Sequence, residues 1–295
     1  MVGSTTGKRG ADSWAGEPGF RLGSSGWTAR GGAANAAACL ANAGHEVAIW
    51  SAMRDDPRGQ HMREQLITLG IDCSFLHPTE WMGGETLVLI EPTGERTIVF
   101  QHSDPDLDLS LRRQLKRQDA EVDIAAIQPF HPDGIYLRSV YPGFESLGEL
   151  KEACIVSHWP QSVGEEVLPA DVLIGSKEDL IATNFLDDVF EKGREACGDR
   201  LKWVIVTQGK AGGEIVSATK RTAFSSPAVQ QVDATGAGDA FAAGVLEALV
   251  AGGDIVEAAR HGAVWGSRTA SLEGSAEKRA AQTYPAWDCM SHRTG

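Results

Sequence analysis

From Gly31 onward the apolar positions alternate between two spacings, a helical one of three to four residues and a strand-like one of two, or short unbroken apolar runs. Ala33 to Ala43 is an Ala-rich run of good helix formers closed by Gly44, and His45 to Met53 follows with the pattern of a strand. Gln60 to Leu69 reads as a helix stopped by Gly70, with a short strand at Ile71 to Phe75. Glu85 to Ile90 and Arg96 to Gln101 are β-prone runs flanking Glu91-Pro-Thr-Gly-Glu95, whose Pro and Gly predict a hairpin turn. Leu107 to Gln118 has the pattern of a charged amphipathic helix, while Asp119 to Asp133 carries no clear period. Strands are then predicted at Gly134 to Val140, Cys154 to Trp159, Asp171 to Ser176, Lys202 to Gln208 and Glu214 to Ala218. Helices are expected around Ala237 to Ala251, Asp254 to Leu272 and Ala276 to Gln282.

Alternation of this kind predicts an α/β fold with a largely parallel sheet. The hairpin interrupts it, as expected of a small β flap projecting from the main sheet, where lids over reactive sites are often built. There is no internal repeat and no long linker, so the expectation is a single domain over 1–295, with a lid formed by about 81–101 and part of 12–30.

Composition narrows the partners. The 295 residues carry 40 acidic against 27 basic side chains, a net charge of −13, which repels nucleic acid and anionic membrane surfaces. No apolar run is long enough for a membrane span. The first twenty residues lack the apolar stretch of a signal peptide, so the cytoplasm is the expected compartment. Five scattered cysteines without CxxC spacing suggest core thiols, and the eight histidines form no HExxH-type cluster.

The chemistry concentrates in Val232-Asp-Ala-Thr-Gly-Ala-Gly-Asp-Ala-Phe241. Its small residues open an Ala-rich helix, where backbone N–H groups and the helix dipole suit an anion. Asp239, directly behind, is then a candidate general base for a hydroxyl attacking that anion, which together describe phosphoryl transfer. The run is not a dinucleotide fingerprint, because Phe241 stands where a third small residue is needed. Gly3 to Lys8 is not a P-loop either, being one residue short and lacking the Ser or Thr that would bind magnesium. A second small-residue element, Gly31-Gly-Ala-Ala-Asn35, opens another helix and offers Asn35 as donor and acceptor to a polyol. Arg96 in the flap and Arg138 at a strand end could meet an anionic substrate, and His102 and His158 could face substrate, although an ordinary exposed or core role is commoner for each.

Taken as a pair, GG-x-x-N near the start and D-x-T-G-A-G-D near the end resemble the two signatures of the PfkB (ribokinase-like) family of carbohydrate kinases, over Gly31 to about Gly274. Val204-Ile-Val-Thr-Gln-Gly209 with Gly212 is similar to the family's strand and turn along the nucleotide phosphates. Ser176-Lys-Glu-Asp179 resembles its Asn-x-x-Glu element by chemical type. The resemblance implies a ribokinase-like three-layer sandwich with a mostly parallel central sheet and a small β-sheet lid. It implies Asp239 as base; Gly236, Ala237 and Gly238 as an anion hole; and Gly31, Gly32, Asn35 and Asp12 at the substrate. Asp12 stands for an Asp that most members carry a few residues after their first strand, and its spacing here departs from theirs. Also implied are Ser176, Thr207, Gly209 and Gly212 at ATP, Asp179 at magnesium through water, and Asp233 with Thr235 at a monovalent cation such as K+, although Asp233 could equally be a cap. The expected acceptor is a sugar or sugar-like molecule. A nucleoside kinase of the same fold, or a non-catalytic sugar- or nucleotide-binding regulator, is the alternative, and a homodimer through the lid would cover exposed strand edges.

Overall fold

A six-stranded sheet forms the centre of the described structure, a computed structural model that covers residues 31–79, 85–90, 96–101, 121–161, 166–272 and 284–285. The chain enters it through α1 (Gly32–Asn42), β1 (Val47–Ala48), β2 (Ser51–Arg54), α2 (Pro57–Thr68), β3 (Ile71–Asp72) and β4 (Leu76–Thr79). Strands β5 (Glu85–Ile90) and β6 (Arg96–Gln101) pair antiparallel, Glu85 opposite Gln101, in a sheet of their own. After the short α3 (Ile124–Ile127) come β7 (Gly134–Leu137), β8 (Cys154–His158), β9 (Val172–Ser176), α4 (Lys177–Ala182), α5 (Val189–Cys197) and β10 (Trp203–Thr207). The described elements end with β11 (Gly213–Val216), β12 (Arg221–Phe224), α6 (Ala237–Val250) and α7 (Ile255–Ala270).

The central sheet runs β12-β11-β10-β9-β8-β7, parallel from β7 to β10 and antiparallel from β10 to β12. Its inner strands β8, β9 and β10 are buried on both faces, which explains their nearly unbroken apolar runs. Alternation by two sorts the side chains. Ile155, Leu173, Val204 and Val206 join Leu180 and Val189 of α4 and α5 in one core. Val156, Val172, Ile174, Ile205 and Ile215 join Phe241, Val245 and Ala259 of α6 and α7 in the other. These are the layers of an α/β sandwich with helices on both faces of the sheet.

The structure departs from the sequence pattern at three places. The strand expected over His45 to Met53 is two short ones, because β1 pairs with β3 and β2 with β4, in separate two-stranded sheets. The strand expected over Ile71 to Phe75 is only β3, with β4 a separate strand beginning after it at Leu76, and β12, with three of its four residues Arg, Thr and Ala, was masked by its weak apolar pattern. The expected helices at Leu107 to Gln118 and Ala276 to Gln282 lie outside the described residues. No helix among the described residues is long and apolar enough to cross a membrane.

Candidate active site

Two helix N-termini meet at the site. Helix α1 lines its contact with α6 with small side chains: Ala36 and Cys39 share a buried cluster with Ala240, Ala243 and Trp265. That close packing sets Asn35, on the first turn of α1, beside Asp239, on the first turn of α6. Asn35 Nδ2 donates to Asp239 Oδ2 at 3.0 Å across 204 residues of sequence. On the other oxygen, Oδ1, Asp239 accepts from Arg138 Nε at 3.1 Å. A donor on each oxygen fixes the plane of the carboxylate, which still has lone pairs for a further donor.

The loop before α6 is shaped by Gly236, which lies in the left-handed region at φ 77 as the N-cap. The turn closes through Ala237 N–H donating to Ala234 C=O at 3.1 Å. Ala237 therefore uses its amide within the turn, and among the described residues the N–H groups of Gly236, Gly238 and Asp239 make no hydrogen bond. A Cβ at Gly238 would meet open space. Three amides at the positive end of a 14-residue helix are thus available to an anion. Asp233 is fully buried, and its Oδ1 accepts the Thr235 N–H at 2.8 Å while its own N–H donates to Ala270 C=O. These bonds give Asp233 a turn-forming role that anchors the loop to the end of α7.

Around Asp239, Arg138 follows the last residue of β7 and His158 ends β8. Burial, with the Arg138 charge next in size, pushes the His158 imidazole down to about 4, so it is neutral near pH 7. Tyr136 also adjoins Asp239, and its hydroxyl is pushed far up by burial and by that carboxylate. Tyr136 was not singled out from sequence. A signal existed, since Tyr136 and Arg138 stand two apart on a strand and so share a face.

The other predicted residues fall at the ends of the parallel strands. Ser176 caps α4, accepting Asp179 N–H at 3.1 Å and donating to Asp179 Oδ2 at 2.8 Å, and Asp179 is exposed. Thr207 ends β10 beside Ser176 in register. The turn that follows closes on itself through Gln208 N–H to Gly212 C=O at 2.8 Å and Gly212 N–H to Gly209 C=O at 3.1 Å. Gly212 is required by the fold, with φ 90 and an added Cβ only 2.1 Å from the Phe224 carbonyl oxygen. Gly209 also has positive φ, but a Cβ there would meet nothing within 4 Å. Gly31 caps α1 in extended conformation, and Gly32 lies directly under Arg138. Asp12 and His102 lie outside the described residues. No group of three or more His, Cys, Asp or Glu residues that could hold a metal occurs among the described residues.

Comparison with known proteins finds relatives along most of the chain. The model of the family described as "pfkB family carbohydrate kinase" matches residues 9–281. The chain is 28% identical over 260 residues to the ATP-dependent ribose-1-phosphate kinase of Halopiger xanaduensis, covering 83% of this chain and 81% of that protein. It is 29% identical over 245 residues to a fructokinase of Salmonella typhimurium, covering 76% and 77% respectively. Its fold is similar to that of a ribokinase from Thermotoga maritima, with TM-score 0.65 and 21% identity over 87% of this chain and 84% of that one.

Proposed function

We propose that this chain, which belongs to the pfkB family of carbohydrate kinases and is thus a phosphotransferase, transfers the γ-phosphoryl group of ATP directly to a hydroxyl of a sugar or sugar-like molecule, with Asp239 as the base. The observation that carries this is the Asn35–Asp239 hydrogen bond, which joins the two glycine-opened helix starts at one point. The acceptor hydroxyl donates to Asp239, its oxygen bonds to the γ-phosphorus, the bond from that phosphorus to the bridging oxygen of ADP breaks, and the proton passes to the carboxylate. Because charge separates mainly on the phosphoryl oxygens in a loose transition state, Asp239 need only orient the hydroxyl and take the proton late. The free N–H groups of Gly236, Gly238 and Asp239 receive the developing charge, each donor being worth about 3 kcal/mol where it is well aimed.

Ser176, Thr207, Gly209 and Gly212 would hold ATP, the exposed Asp179 would hold magnesium through water, and oxygens of Asp233 and Thr235 would hold a monovalent cation such as K+. Bound there, magnesium-ATP supplies the phosphoryl group and neutralises its charge. The unpaired N–H groups fit the phosphates, and a carboxylate exposed at the C-terminal end of a parallel strand fits a hydrated magnesium ion. Gly31, Gly32 and Asn35 would form the acceptor side, where the resemblance also puts Asp12, and the β5–β6 hairpin would be the lid. The relatives' names span a neutral ketose and a sugar phosphate as acceptors.

The test is a sugar and nucleoside panel with magnesium-ATP, followed by mass spectrometry of the products. Wild type is expected to yield a monophosphorylated acceptor, and Asp239→Asn to lose about 10²- to 10⁴-fold in kcat with ATP binding retained. Turnover unchanged in Asp239→Asn overturns the base assignment.

A further inference from the structure

We propose that Arg138 selects acceptors carrying an anionic group, a carboxylate or a phosphate monoester, within a few bonds of the hydroxyl that is phosphorylated. The inference rests on the kinase reading above and adds the substrate class.

Three observations carry it. First, among the described residues Arg138 uses only one edge of its guanidinium in hydrogen bonds. Nε donates to Asp239 Oδ1 at 3.1 Å, and among the described residues the two terminal nitrogens make no hydrogen bond. The side chain is 36% exposed where Asp239 is 14%, so the unused fork lies on the more open side of the pair. Second, the arginine is seated in a built position. A Cβ on Gly32 would come within 2.2 to 2.5 Å of its Nε, Cδ and Cγ, so only glycine lets the stem lie across the start of α1. The Arg138 charge and the positive end of the α1 dipole thus act in the same place, which a neutral polyol does not need. Third, among the described residues the other side chains named around Asp239 add no positive charge that could take over the role. Asn35 and Tyr136 are neutral, and the buried His158 is uncharged near neutral pH.

A guanidinium fork matches carboxylate and phosphate in a bidentate manner and is poorly replaced by lysine. Because Arg138 and the acceptor hydroxyl both bond to Asp239, an anion on the free fork stands close to that hydroxyl. Sugar acids and sugar phosphates meet this requirement.

The experiment compares kcat/KM for a neutral sugar, its aldonate and its phosphate monoesters, in wild type, Arg138→Gln and Gly32→Ala. Wild type is expected to favour one anionic form at least ~10-fold over the neutral sugar, and the two anionic arms identify which. Arg138→Gln should cut that preference about 10- to 100-fold, the usual worth of a charged hydrogen bond. Gly32→Ala, which displaces the arginine, should cut it in the same direction. A wild-type enzyme that prefers the neutral sugar, or a preference unmoved by Arg138→Gln, overturns the proposal. If no acceptor is phosphorylated, the kinase reading fails separately. Calorimetric binding of the same panel then decides, with Arg138-dependent binding of anionic sugars in favour, and equal, Arg138-independent or absent binding against.

Discussion

Asp239 and its neighbours illustrate how few side chains need to be placed for this chemistry. Asp239 was singled out in the sequence because it stands directly behind small residues that open a helix, where it could serve as base for a hydroxyl attacking a bound anion. Its partners were not all legible, for Asn35 was expected at a polyol and its bond to Asp239 was not foreseen. His158 was readable only as a residue that could face substrate, since nothing linear encodes its burial. That burial has a measurable consequence. The unfolded imidazole titrates near 6.5 and the folded one at about 4, so between those values the unfolded chain binds the additional proton. Stability is therefore expected to fall as the pH drops from 6.5 towards 4, by up to ~1.4 kcal/mol per pH unit. Replacing the group, as in His158→Gln, should flatten that part of a plot of unfolding free energy against pH. An unchanged slope would mean that His158 does not carry it.

Helices α6 and α7 are the elements on which the site depends most. They pack so closely that a Cβ on Gly262 would lie 2.6 Å from the Phe241 carbonyl oxygen, and one on Gly244 would lie 3.0 Å from Gly262 Cα. Fully buried Trp265 fills the space alongside. Gly262→Ala is expected to cost about 1–3 kcal/mol in chemical denaturation, because the obstacle is backbone that cannot swing away. Since α6 presents Gly236 to Asp239 at its start, kcat should fall in the same variant while the far-ultraviolet spectrum stays helical. Element types were largely readable here, because Ala-rich runs ended by glycine and apolar runs of strand length are local signals. Where prediction failed, as at β1 and β2, the deciding factor was pairing with β3 and β4, strands some 25 residues away in the chain.

On the scale of the whole molecule, a cluster of charges binds the middle of the sheet together. Asp171, just before β9, accepts the Ile155 N–H of β8 at 3.0 Å and pairs with Arg200 at 2.9 Å and Lys202 at 3.0 Å. Burial pulls its carboxyl upward, but the Ile155 amide, Lys202 and Arg200 outweigh this and hold it below its ordinary 3.8. The stabilisation is thus complete above pH ~4 and lost as the pH falls through the lower folded value. Arg200→Ala is expected to cost about 2–3 kcal/mol near pH 7, below the usual cost of breaking a buried pair because Lys202 remains. The loss should shrink under acid conditions in urea titrations at pH 7 and pH 3, and an equal loss at both would exclude the charge as its source.

By itself, the sequence determined most of the order of elements, the two glycine-opened helix starts and the carboxylate behind the second, because each is written in neighbouring residues. Tertiary structure alone decided that Asn35 meets Asp239 across 204 positions, that Arg138 lies over Gly32 and bonds to Asp239 through Nε, and that His158 is neutral near pH 7. The reason is physical: a local pattern fixes backbone conformation, whereas hydrogen-bond partners, burial and charge depend on which surfaces the packing of α1, α6 and the sheet brings together.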